Sequence, residues 1–280
     1  MDHVRPFERF ATVDGRRTRY LEAGTGRPLV LIHAFPLSAD MWVPQLEGPP
    51  AGWRLIAPDL RGLGQSARVA AGEPATAAGA RSVDGHAVDV LALLDHLGLE
   101  LVVVAGLSMG GYVAFAIARQ APARVAALVL CDTRPQADSE EVRAGRRALM
   151  TDLKENGVGA VAAAMVVKLL GPTALRRRPG PADEVRRIIS GNDPAGIAEA
   201  IYCLMTRPDS TAQLPRIACP TLIVAGEEDQ LTPVEVHQEM HRAIAGSELV
   251  VIPQAGHLSS FERPVAFNAA LRQFLAKLPA

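Results

Sequence analysis

Six short apolar runs restrict what this chain can fold into: Leu29 to Ile32, Arg54 to Ala57, Leu101 to Ala105, Ala127 to Leu130, Thr221 to Ala225 and Leu249 to Ile252. Their apolar residues are consecutive rather than alternating, the pattern of strands covered on both faces. Helical patterns such as Val83 to Leu97 and Met109 to Gln120 lie between them. A βαβ series of this kind predicts an α/β fold: a mostly parallel central sheet with helices on both faces, joined by right-handed crossovers. Ligands then bind at the carboxyl ends of the strands.

From Thr133 to about Leu214 strand-like runs stop, and helical patterns take over at Glu140 to Asn156, Gly159 to Leu170, Ala182 to Ser190 and Ala195 to Thr206. The expected organisation is a core of residues 1–133 and 215–280 with a helical cap inserted at 134–214. Arg176-Arg177-Arg178 reads as a solvated loop at a break in this region, and Ala70 to Ala80 as a small-residue loop.

Composition narrows the function. The chain has 280 residues, 49% hydrophobic, with a formal net charge of −1. A chain of this size buries roughly 75% of its unfolded surface, enough for one large domain. Near-zero net charge argues against nucleic acid as a partner, because phosphate neutralisation needs clustered Lys and Arg. No apolar run approaches the ~20 residues of a membrane span, and the charged start, Met1 to Arg9, does not suit a secretory signal. Cys131, Cys203 and Cys219 are widely spaced, which suggests neither a disulfide framework nor a thiolate zinc site. The expectation is a cytoplasmic protein acting on small molecules.

The chemistry enters at Gly106-Leu107-Ser108-Met109-Gly110-Gly111, which follows a valine-rich strand run and opens directly into a helix. G-x-S-x-G in that setting describes a strained strand-to-helix turn that lifts a serine hydroxyl above the sheet. Flanking glycines allow the close backbone approach, and the helix N-terminus supplies free amides for developing negative charge. Ser108 is the candidate nucleophile. It requires a base, and His257, in a turn after the last strand run, is placed for that role. Carboxylates that could orient the imidazole are Glu227, Glu228 and Asp229 after the preceding run, and Asp132 after Ala127 to Leu130.

Five ordered motifs carry a resemblance: Leu31 to Pro36, Asp59 to Ser66, the turn at Ser108, Gly226 to Pro233, and Ala255-Gly256-His257. Together they resemble the α/β-hydrolase superfamily over about Gly24 to Leu275. Within it, the chain is similar to small capped esterases and lactonases, including 3-oxoadipate enol-lactonases and cofactor-free haloperoxidases. The resemblance implies that Asp229, at the acid of a G-x-x-D-x-x-x-P pattern, completes a triad with Ser108 and His257. It also implies an oxyanion hole from the backbone N–H groups of Phe35 and Met109. Ala34 departs from the glycine common at its position. His33 is expected to brace the oxyanion loop, and Asp59 to Ser66 to be a structural turn. Trp42, Tyr112 and Arg134 are candidate substrate contacts, Arg134 as a partner for a substrate carboxylate.

His237 and His241 have a metal-like i, i+4 spacing, but H-x-E-x-H without a third ligand reads as a solvent-facing helix. No metal or other cofactor is implied. The expected activity is that of a metal-free carboxylesterase for small or medium acyl groups, working through an acyl-enzyme. Enol-lactonase, other lactonase and perhydrolase activities use the same triad, and a non-catalytic ligand receptor is the contrasting class.

Overall fold

A computed structural model describes residues 6–66, 68, 81–177 and 179–279. Arg178 and the Ala70 to Ala80 segment lie outside the described residues. The strands are β1 (Phe7–Val13), β2 (Arg16–Gly24), β3 (Arg27–Ile32), β4 (Trp53–Pro58), β5 (Val102–Leu107), β6 (Val125–Cys131), β7 (Thr221–Gly226) and β8 (Glu248–Ile252). They form one sheet in the order β1-β2-β4-β3-β5-β6-β7-β8. From β4 to β8 neighbours are parallel, with Leu29 opposite Val103 and Val104 opposite Leu128.

β1 and β2 form an antiparallel hairpin with Val13 opposite Arg16, and β2 joins the sheet antiparallel to β4. The continuous-run criterion does not detect these strands because most of β1 faces solvent and the buried stretch of β2, Arg19 to Leu21, opens on an arginine and is followed by Glu22. A local signal does exist. Asp14 and Gly15 both have positive φ, 49° and 75°, as a two-residue type I′ hairpin turn requires. β8 differs from expectation too: as the far edge strand it is mostly half-buried, and only Ile252 is closed off.

The helices are α1 (Val43–Leu46), α2 (Val83–His96), α3 (Met109–Gln120), α4 (Glu140–Leu169), α5 (Pro172–Arg177), α6 (Pro179–Ser190), α7 (Pro194–Thr206), α8 (Val234–Ala243), α9 (Ser259–Glu262) and α10 (Pro264–Leu275). Four of them, α4 to α7, lie between β6 and β7. Ser139 caps α4 by accepting the Val142 N–H, and Asp193 caps α7 by accepting that of Ala195. Gly157, at φ 75° and ψ −174°, breaks α4 where the sequence pattern also breaks. The α4 helix packs on α6 and α7. Arg176 and Arg177 belong to the end of α5 rather than to a loop.

Topology positions the site. After β3 the chain crosses to β4 on one side and then returns to place β5 on the other. The crevice at such a switch point lies between the loops that leave β3 and β5. Those loops carry Phe35 and Ser108.

Candidate active site

Ser108 takes φ 54° and ψ −112° between β5 and α3, a left-handed conformation that costs a non-glycine residue energy. Neighbouring glycines make the turn possible. A Cβ on Gly106 would lie 2.1 Å from the Gly110 carbonyl oxygen, and one on Gly110 would lie 2.1 Å from that of Ile32. Ser108 stands at the N-cap of α3, yet its hydroxyl makes no capping bond. Its carbonyl accepts the Thr133 hydroxyl at 2.8 Å. The Phe35 and Met109 amides take no acceptor among the described residues, which leaves both donors available.

Ser108, Phe35, Tyr112, Arg134, Thr232 and His257 line one cleft of about 280 Å³. Ser108 makes no hydrogen bond to His257; the two face the same space. His257 Nδ1 lies 2.7 Å from Asp229 Oδ2 and 3.3 Å from the Thr232 hydroxyl. Asp229 in turn accepts the Leu231 and Thr232 N–H groups at 2.8 and 3.0 Å, as well as the Thr232 hydroxyl. Burial works to raise the Asp229 carboxyl, but the imidazole charge and these hydrogen bonds bring it down to about 2. Burial likewise works to lower His257. The Asp229 charge and hydrogen bond override it and leave the imidazole above its ordinary value.

Asp132 is not the carboxylate on His257. Fully buried, it accepts the Gly226 N–H at 2.7 Å and both the N–H and hydroxyl of Ser259 at 3.1 and 2.6 Å. It therefore ties the end of β7 to the start of α9. Burial and the nearby Asp229 charge hold its carboxyl well above the usual range. Glu227 bonds to the Gln254 N–H, and Glu228 to Thr173.

The loop after β3 is braced from below. His33 Nε2 accepts the Leu60 N–H at 2.9 Å, so Nδ1 carries the ring proton and donates to the Ala34 carbonyl, also at 2.9 Å. Burial holds His33 below its ordinary value, consistent with a neutral ring. Asp59 accepts the Ala39 and Gln65 N–H groups at 2.7 and 2.8 Å and pairs with Arg19 at 3.1 Å.

Two expectations are corrected. Trp42 does not reach the cleft: it is fully buried against Phe267 of α10, ring centroids 6.1 Å apart. His237 does not face solvent: it is fully buried, accepting the Thr133 N–H at 3.2 Å, with Nδ1 3.1 Å from the Pro233 carbonyl. Burial brings it down to about 4. Among the described residues no three His, Cys, Asp or Glu side chains gather to hold a metal ion.

Tyr112 and Arg134 do line the cleft, and the fold adds three cations and a carboxylate that sequence order did not bring together. Asp138 is clamped between Arg146 and Arg207, and the Arg207 guanidinium lies 4.1 Å over the Tyr112 ring. Lys168, exposed at the end of α4, completes the rim. With Arg134, four cations face one carboxylate there. Arg134 also donates to the Leu231 carbonyl. Apolar lining comes from Leu149, Met165, Leu169 and Leu204. No helix of the described residues is long and apolar enough to cross a membrane.

The fold recurs in known proteins. A non-heme haloperoxidase of Rhodococcus erythropolis is 32% identical, over 94% of this chain and 97% of that protein. A thermophilic esterase from Thermogutta terrifontis, solved with malate bound, superposes with a TM-score of 0.89 at 37% identity, over 98% of this chain and all of that one. The enol-lactonase of Burkholderia xenovorans superposes at 0.85 with 26% identity, covering 96% and 100%. The sequence profile of the alpha/beta hydrolase fold matches residues 27–264, and on this evidence the chain belongs to the α/β-hydrolase family.

Proposed function

We propose that the protein is a metal-free serine hydrolase that cleaves carboxylic esters of small or medium acyl groups through an acyl-enzyme. The observation that carries this reading is the uncapped Ser108 hydroxyl, opening on the same cleft as His257 while Asp229 holds the far side of the imidazole. Ser108 Oγ attacks the carbonyl carbon as His257 Nε2 takes its proton. The Phe35 and Met109 amides receive the oxyanion. Asp229 fixes the tautomer and stabilises the imidazolium. His257 then returns the proton to the leaving alkoxide and next activates water, which releases the acid and regenerates Ser108.

Residues 134–214 act as a cap in this reading, with α4 supplying the apolar wall for the acyl or alcohol group. The excess of cations on the rim favours substrates with an anionic group away from the scissile bond. The cytoplasm suits such a protein, given the separated cysteines and the small-molecule site.

The test is steady-state hydrolysis of p-nitrophenyl esters from acetyl to long acyl chains, beside small lactones, with Ser108→Ala as the blank. Ser108-dependent turnover is expected. Ester hydrolysis retained by folded Ser108→Ala refutes the mechanism. A lactonase or perhydrolase is the second reading, favoured by the named relatives and using the same residues; preference for lactones, or peroxide-dependent halogenation in acetate buffer, identifies it.

A further inference from the structure

The turn between α4 and α5 is fastened to both loops that carry the proposed base and acid. Glu262, the last residue of α9, is only 3% exposed. Its Oε2 accepts the Gly171 N–H at 2.9 Å, while Oε1 accepts those of Gly256 and Leu258 at 2.9 and 3.3 Å. Gly256 and Leu258 are the two neighbours of His257. In the first turn of α5, directly after Gly171, the Thr173 N–H and hydroxyl donate to Glu228, beside Asp229, the N–H at 2.8 Å.

Backbone meets backbone at this junction. A Cβ on Gly171 would lie 2.7 Å from both Gly256 N and Glu228 Oε2, and one on Gly256 would lie 2.2 Å from Gly171 N. A glutamine at 262 has one acceptor oxygen. It can hold the Gly171 amide or the pair flanking His257, but it turns an NH2 group toward the other. Only a carboxylate serves both segments at once. The proximal end is also where a ligand would press, because Lys168 and Leu169 line the cleft three and two residues before Gly171.

We propose that Glu262 is a positioning residue for the reaction, linking the placement of the inserted helices to the orientation of the His257 imidazole, with Glu228 and Thr173 as the matching tie at the Asp229 loop. A ligand seated against Lys168 and Leu169 thereby sets the turn at 171–173, and that turn sets the backbone on either side of His257. This rests on His257 acting as the base of a Ser108-dependent hydrolysis.

The experiment compares ester hydrolysis by the wild type, Glu262→Gln, Gly171→Ala and the double variant, with Ser108→Ala as the control for the underlying reading. Each single change is expected to lower kcat about tenfold while KM moves less than about threefold, and the double variant to lose no more than the worse single one, because both break the same tie. The far-downfield imidazole N–H proton of the His257–Asp229 pair should shift or broaden in Glu262→Gln, and Glu262→Asp should fail to restore it, since the shorter side chain cannot reach both segments. If Gly171→Ala does not fold, the kcat and imidazole proton of Glu262→Gln against the wild type carry the test alone. Wild-type kcat and an unchanged imidazole proton in folded Glu262→Gln overturn the proposal, as do fully multiplicative losses in the double variant. Hydrolysis retained by Ser108→Ala overturns the underlying mechanism as well, and is separate from a case where turnover depends on Ser108 but ignores residue 262.

Discussion

The imidazole Nδ1 of His257 stands 2.7 Å from Asp229 Oδ2, with both side chains closed to solvent. Burial alone would favour the neutral ring, and the carboxylate reverses that preference, so the folded imidazole titrates above 6.5. A general base must be neutral to accept the serine proton. The acid limb of kcat/KM should therefore have its midpoint above 6.5, with activity falling as pH drops through it. A pH–rate profile on a neutral ester checks this, and a midpoint below 6.5 contradicts it.

Replacing Asp229 by Asn removes the charge that raises the imidazole and leaves burial in control. The expected outcome is a loss of kcat of about 10³- to 10⁴-fold with the fold retained, the wrong tautomer adding to the lost charge. The acid limb of the residual activity should move below that of the wild type. Asp132→Asn lacks the direct bond to His257, so its larger effect should be on stability, through the amides of Gly226 and Ser259. Equal kcat losses in the two variants, both of wild-type stability, would argue that the carboxylates share one role.

The rim of the cleft makes a charge-dependent prediction. Lys168 is exposed with no partner among the described residues, whereas Arg146 is already committed to Asp138. Lys168→Ala should raise KM for an ester bearing a terminal carboxylate by about three- to tenfold and leave KM for its neutral methyl ester unchanged. Added salt should narrow the difference, because the contact is solvent-accessible. An identical change for both esters would refute anion recognition at this position.

The central strands and the strand-to-helix turn that carries Ser108 were legible in the sequence for physical reasons. β3, β5, β6 and β7 are covered on both faces, so their apolar runs are unbroken, and the glycines around Ser108 are required by the backbone contacts just described. What escaped were features set by tertiary partners. β1 lacks the apolar run because most of it meets water, and β2 because charged residues interrupt it, the buried Arg19 being held by carboxylates from elsewhere in the chain. Trp42 follows the loop after β3 closely in sequence, but α10 approaches from the far end of the chain and encloses it. The cation-rich rim joins residues from 134 to 207, and no local spacing signals that Asp138 meets both Arg146 and Arg207. Glu262 sits five residues after His257, yet its second partner is Gly171, 91 residues away.

Trp42 separates packing from recognition. Trp42→Ala removes a fully buried ring against Phe267 and should cost about 3 to 5 kcal/mol of stability. At a temperature where the variant remains folded, KM for small esters should stay within about twofold, because the ring does not line the cleft. A large rise in KM without loss of Tm would return Trp42 to the substrate site.

Gly64 tests the support beneath the loop after β3. Its φ is +57°, and a Cβ there would fall 2.1 Å from Asp59 Oδ2. That carboxylate also holds the Ala39 and Gln65 amides and the Arg19 guanidinium. Gly64→Ala meets left-handed strain of about 1 to 2 kcal/mol and in addition displaces Asp59 from those partners. A loss of more than about 2 kcal/mol follows, a fall in Tm of about 4 °C or more for a protein of this size. Because Ala39 follows Phe35 by only four residues, kcat should fall as well, through a displaced oxyanion amide. Thermal melts and ester kinetics on the one variant check both parts: a Tm within about 1 °C of the wild type would show that the turn relaxes around the methyl group, and unchanged kcat in a destabilised protein would show that Asp59 supports the fold without setting the position of Phe35.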